Sequence, residues 1–281
     1  MINFGGIPEE YSDTSAPVVI LPVPYDATST WIKGSDKGPE AILEASANME
    51  LFDIETQKEV YLEGIYTAPL LYTGIDPEKM VQQVYLETKN YLSEGKFVVM
   101  IGGEHSITAG PVKAYVEKYS DLSVLQLDAH SDLRNEYEGS PYNHACVMAR
   151  VQELCPLVQV GIRSMDVAEN ERIIPQRMFW AQEVAGRKGW HERAIDQLTE
   201  HVYISIDLDV FDPSIMPSTG TPEPGGLYWY ETLEFLRKVV HSRKVVGFDI
   251  VELCPVDNNK GPDFLAAKLL YKLLSYISLH K

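Results

Sequence analysis

The sequence predicts an α/β protein: a mainly parallel sheet covered by helices on both faces. Short apolar runs rich in Val and Ile alternate with amphipathic stretches along the chain. The runs are almost continuously apolar, as strands buried on both faces must be. Each unusual polar cluster follows one of these runs, at the carboxyl rim where open parallel sheets bind ligands.

The elements follow in order. "PVVILPV" (17–23) is the first strand, and Pro39 after Gly38 marks a helix entry, because proline suits the first helical turn. Helical periodicity covers 76–94, then "FVVMIGG" (97–103) reads as strand and 106–118 as helix. "SVLQLDA" (123–129), a helix over 144–154, "LVQVGIR" (157–163) and "MFWA" (178–181) come next. A helix over 189–200, the strand "VYISIDLD" (202–209), a helix over 229–241, the strand "KVVGFDIVEL" (244–253) and a helix over 262–279 complete the chain. The 281 residues show no repeat, low-complexity segment or linker, so a single domain over 1–281 is expected.

Formal charge is -17, with 41 acidic residues against 24 basic. This excludes a nucleic-acid surface and favours small cationic partners. The start "MINFGGIPEEYSD" has no basic, apolar leader, and apolar runs such as "VVILPVP" are strand-sized, so no membrane span is expected. Three cysteines, Cys146, Cys155 and Cys254, make no disulfide framework, and a reduced cytoplasmic location is the default.

Four polar clusters share the predicted rim: "GGEHS", "DAHSD", "DLDVFD" and "VELCP". Residues two apart on a strand share a face, so Asp128 should point with His130 and Asp207 with Asp209. Asp132 joins them if the chain curls. Any one cluster alone is better read as caps and turns. Together, several buried carboxylates cost several kcal/mol per ion unless cations compensate. Asp128, Asp132, Asp207 and Asp209 carry four negative charges, beside the neutral donors His105 and His130. Two divalent ions balance that set. Carboxylate oxygen and imidazole nitrogen without thiolate fit Mn(II) better than structural zinc.

These blocks resemble the signatures of the ureohydrolases, which include arginase and agmatinase. The resemblance rests on "GGEHS", "DAHSD" and "SIDLDVFDP…TGTPEPGGL", and runs from "PYDATSTWIKGSDKGPEAI" to "GFDIVELCP". It implies a three-layer α/β/α fold and two manganese ions per chain. By the resemblance, His105, Asp128, Asp132 and Asp207 hold one ion, and His130, Asp128, Asp207 and Asp209 hold the other. A hydroxide shared by the ions attacks the guanidinium carbon, releasing urea and an amine. Glu252 matches the carboxylate that grips the guanidinium, and His144 matches the histidine that passes protons to the leaving amine. Thr221, in "TGTP", is a candidate to orient nucleophile or substrate, with a turn role equally open. Leu43 and Cys254 depart from the pattern without touching the metal set. Related enzymes are trimers or hexamers, so a homo-oligomer is expected.

The loop "NEYEGSPYNHA" resembles agmatinases more than arginases, which points to agmatine, giving urea and putrescine. Glu136, Glu138 and Asp166 are candidate contacts for a cationic tail. Arg134 cuts the other way if it points inward, and pairs with a neighbouring acid if it does not. The alternative substrates are aminopropylagmatine, guanidinobutyrate, guanidinopropionate and arginine. A one-zinc deacetylase of the same broad fold and a silent guanidino-binding relative also stay open.

Overall fold

Eight strands of the computed structural model, which describes residues 2–280, form one sheet in which every pairing is parallel. They are β1 (Val18–Val23), β2 (Ile65–Thr67), β3 (Phe97–Gly102), β4 (Leu122–Leu127), β5 (Leu157–Ile162), β6 (Met178–Trp180), β7 (His201–Asp207) and β8 (Lys244–Val251). Their order across the sheet is β2-β1-β3-β8-β7-β4-β5-β6. The last two strands therefore insert into the middle, and β3, β8, β7 and β4 lie side by side. Those are the strands whose carboxyl ends carry the four polar clusters, so topology alone gathers them at one rim.

Strand alternation builds two cores. Val18 and Ile20 of β1 face one side with Val99 and Ile101 of β3. There they meet α1 (Gly38–Ser46), α6 (His191–Ile195), α7 (Trp229–Ser242) and α8 (Gly261–Ser278). Val19 and Leu21 face the other side with Val98 and Met100, against α2 (Pro77–Ser93), α3 (Ala109–Lys118) and α4 (Val147–Gln152). This is the expected three-layer α/β/α arrangement. Among the described residues, no helix is long and apolar enough to cross a membrane.

Several boundaries differ from the sequence expectation, each for a local reason. β2 and the four-residue α5 (Ala181–Val184) are too short to show periodicity. The helix expected over 189–200 stops at Ile195. Nearby, the Thr199 backbone N–H and hydroxyl donate to Ser123 Oγ (3.0 and 2.8 Å). The helix expected over 144–154 starts as a 3-10 turn, His144–Cys146, before α4. The helix at 106–118 likewise opens with a 3-10 turn, His105–Thr108. Strands β4 and β7 end at Leu127 and Asp207, so Asp128, His130 and Asp209 lie beyond them.

Candidate metal centre

Beyond β3 the backbone keeps bonding its neighbour: Gly103 N donates to Val23 O (3.0 Å) and Glu104 N to Tyr25 O (2.8 Å). A Cβ on Gly103 would sit 2.0 Å from Tyr25 O, so only glycine permits this approach. His105 is thereby delivered, fully buried, to the rim. Its Nδ1 lies 3.1 Å from Asp128 Oδ2, 3.1 Å from Asp132 Oδ2 and 3.4 Å from Asp207 Oδ2.

The other nitrogen fixes what Nδ1 presents. His105 Nε2 is 2.9 Å from Ser205 Oγ, whose hydroxyl donates to Asp249 Oδ1 at 2.7 Å. Asp249 is buried and also accepts from Tyr203 (2.8 Å) and Thr108 (3.0 Å). Serine has one proton, and Asp249 takes it, so Ser205 accepts from Nε2–H. Nδ1 is left as a lone pair aimed at three aspartates, with no hydrogen-bond partner. A buried, orphaned imidazole lone pair facing carboxylates is a cation-binding arrangement, and the outer carboxylate–hydroxyl pair orients it. The residues present fit a metal ion.

Asp128 is shared. Two groups have ligand atoms all within 4.8 Å of one another: His105, Asp128 and Asp132, and Asp128, His130 and Asp209. Asp128 Oδ1 accepts from His130 N (2.6 Å) and Oδ2 from Gln126 Nε2 (2.6 Å), itself held by Gln159 (2.6 Å). His130 Nδ1 lies 2.8 Å from Asp209 Oδ2. Asp207 Oδ1 accepts from Asp209 N (2.9 Å), while its Oδ2 faces His105. The paired acids thus converge through Asx-type turns past the strand ends, not through strand alternation as the sequence suggested. A turn bonded to its own carboxylate brings i and i+2 together as effectively as a pleat.

The electrostatics demand positive charge. Burial, then the neighbouring Asp128 carboxylate, pushes Asp132 up to about 7. Burial and the carboxylates of Asp209 and Asp128 hold Asp207 well above its usual range. Against burial, Asp128, Asp132 and Asp207 hold His105 well above an ordinary imidazole, so positive charge is favoured at Nδ1, as a proton or as the metal ion that would displace it.

Two site residues sit in left-handed backbone that side chains rarely adopt: Asp132 (φ 52) and Glu252 (φ 66). Local bonds enforce both. Met148 N and Ala149 N donate to Asp132 O (3.0 and 3.1 Å), so its carbonyl meets the first turn of α4. Glu252 N donates to Gly103 O (2.7 Å), and Glu252 Oε1 accepts from His105 N (2.7 Å).

The remaining candidates separate into those lining the cleft and those outside it. A cleft of about 240 Å³ is lined by His105, His130, His144, Asp166, Thr221 and Glu252, among others. Glu136 and Glu138 are exposed and do not line it. Glu138 and Gly139 (φ 49 and 80) form a two-residue turn closed by reciprocal Tyr137–Ser140 bonds, which carries these acids away. Asp166 lines the cleft but also caps the 3-10 helix Val167–Arg172 and faces Arg134 Nη2 at 3.5 Å. Arg134 lies 3.6 Å from buried Glu169 and over the Tyr137 ring, 4.5 Å from its centroid, so its charge is paired. Glu104, Thr28, Ser205, Asp249 and Glu169 escaped the sequence reading. Glu104, Thr28, Ser205 and Asp249 had a signal, their places inside "GGEHS", "PYDATSTWIKGSDKGPEAI", "SIDLDVFDP" and "GFDIVELCP"; Glu169 had none.

The family model for the arginase family matches residues 16–275. The chain belongs to the arginase family. It is 44% identical over 279 residues to the N(1)-aminopropylagmatine ureohydrolase of Synechocystis sp., covering 95% of this chain and 90% of that one. With the agmatinase of Pyrococcus horikoshii it shares 34% over 266 residues, covering 92% and 91%. The crystal structure of the agmatine ureohydrolase of Thermoplasma volcanium matches with a TM-score of 0.86 and 31% identity, covering 99% of this chain and 94% of that one. This arginase-family chain is an enzyme, a metal-dependent ureohydrolase acting on a guanidino compound. The resemblance and the fold read from the sequence are both borne out.

Proposed function

We propose that the enzyme hydrolyses N(1)-aminopropylagmatine to urea and the corresponding triamine, with agmatine the lesser substrate. The carrying observation is the 44% identity to a relative named for aminopropylagmatine, against 34% to the agmatinase above. The sequence put agmatine first; the relatives favour its longer-tailed alternative. Arg134 supports a cationic tail, since its charge is spent on Asp166 and Glu169.

In this reading a pair of manganese ions held by His105, Asp128, His130, Asp132, Asp207 and Asp209 supplies the Lewis acidity that makes a nucleophile of water near neutral pH. Glu252 grips the guanidinium. Burial, then the Glu104 carboxylate, pushes Glu252 well above its usual range, and a permanently charged guanidinium is the partner that keeps it ionised. Its second oxygen is left for substrate, because Oε1 already accepts from His105 N. His144 passes a proton to the leaving amine; burial brings its imidazole down to about 4, so it is neutral and able to accept. Thr221, exposed at the cleft, orients the guanidino group. The protein is further read as a single domain over 1–281, cytoplasmic, and a homo-oligomer, trimer or hexamer.

A urea-release panel with the manganese-loaded enzyme tests the assignment. Aminopropylagmatine should exceed agmatine in kcat/KM by about tenfold, the effect of one anchored terminal amine. Arginine, guanidinobutyrate and guanidinopropionate should be poor. Equal or better turnover of agmatine would overturn the longer tail.

A further inference from the structure

Thr28 lies in the loop after β1, buried beside both Glu104 and His144. Its hydroxyl is 2.5 Å from Glu104 Oε2 and 3.3 Å from His144 Nδ1. The backbone N–H of His144 donates to the same oxygen at 3.0 Å. Glu104 is 0% exposed and also accepts from the Ser106 hydroxyl at 2.8 Å. His144 Nδ1 is 3.7 Å from Glu104 Oε2, too far for a direct bond, so the threonine oxygen couples them.

A hydroxyl has one proton and two lone pairs. In its ionised form the Glu104 carboxylate can only accept, so the proton of Thr28 is then committed there. The two lone pairs then face two nitrogens of one residue. One takes the backbone N–H of His144; the other can only receive a proton from Nδ1. We propose that Glu104 and Thr28 are positioning residues that hold His144 as its Nδ1–H tautomer, leaving Nε2 as the atom that takes and gives the proton. The inference rests on the proton-transfer role proposed for His144. The same device acts at His105 in the opposite sense, where Asp249 and Ser205 hold Nε2–H and free Nδ1. Two carboxylate–hydroxyl–imidazole chains thus set two different tautomers within one site.

Thr28→Val keeps the volume and removes the hydroxyl. In the manganese-loaded enzyme, kcat should fall about 10- to 100-fold, a part of the roughly 10²–10⁴ that general acid–base catalysis contributes. KM and bound manganese should not change, and Thr28→Ser should recover most of the turnover. In a His144→Ala background Thr28→Val should cost nothing more, because the two act as one unit. An equal loss in that background would make Thr28 a packing residue and overturn the inference, as would wild-type turnover in Thr28→Val. If His144→Ala alone keeps full turnover, the proton-transfer role itself fails, a separately readable result. A neutron structure of the unaltered enzyme reads the tautomer without any variant. A deuteron on Nδ1 is expected; one on Thr28 directed at Nδ1 would overturn the proposal.

Discussion

Asp128→Ala is expected to abolish both ion binding and urea release. Asp128 belongs to both candidate triads and is fully buried, so no other side chain takes its place. Metal analysis after manganese loading should find less than one ion per chain, and kcat should fall by on the order of 10³-fold or more. The fold should survive. Asp132, Asp207 and Asp209 remain, and removing one of several mutually repelling carboxylates relieves the site. Of the donors left behind, Gln126 Nε2 keeps its bond to His130 O (3.2 Å), and His130 borders the cleft. Circular dichroism and a thermal melt beside the metal count separate lost chemistry from lost structure.

Lys272→Met, away from the cleft, should give a large stability loss. Lys272, on α8, is 7% exposed, and its Nζ lies 3.0 Å from Asp53 Oδ2 and 2.6 Å from Glu55 Oε2. Asp53 is buried, and removing its cation strands a charge, a loss of several kcal/mol in comparable pairs. Asp53 keeps the backbone bonds from Glu55 N (3.0 Å) and Thr56 N (2.8 Å), which sets the expected cost at about 3 kcal/mol. That corresponds to a drop in melting temperature of about 5 °C for a chain of this size. The effect has a pH signature. Burial opposes ionisation of Asp53, but bonds from Thr56 and Lys272 outweigh it and hold the group below its ordinary value. Its contribution is therefore present above the unfolded carboxylate pKa, near 4, and is lost as pH falls through the folded value. The gap between wild type and variant should be widest at neutral pH and close in acid. A gap that persists below the folded value of Asp53 would assign the loss to packing.

What the sequence revealed and what it hid divide along a physical line. Apolar runs announced the long strands because both faces of this sheet are covered, and acidic clusters after four of those runs announced the rim. Pairing Asp128 with His130 and Asp207 with Asp209 was right in outcome and wrong in cause. Asp128 and His130 lie beyond β4, and Asp207 ends β7, so turns bonded to Asp128 and Asp207 take over there. Partners far apart in sequence left no trace. Thr28 and Glu104 are 76 residues apart, and Thr108 and Asp249 are 141 apart. Loop acids misled for a related reason. Glu136 and Glu138 carry the right charge, but the turn at Glu138–Gly139 has a direction that charge does not encode. The left-handed backbone at Asp132 and Glu252 was equally silent, since Glu rarely adopts it and Asp, though it does so more often than most, does not require it.

Anomalous diffraction at the manganese edge, from crystals of the manganese-soaked protein, tests the central claim most directly. Two peaks are predicted, one among His105, Asp128 and Asp132 and one among Asp128, His130 and Asp209. A map with one peak, or none at this rim, would contradict the account.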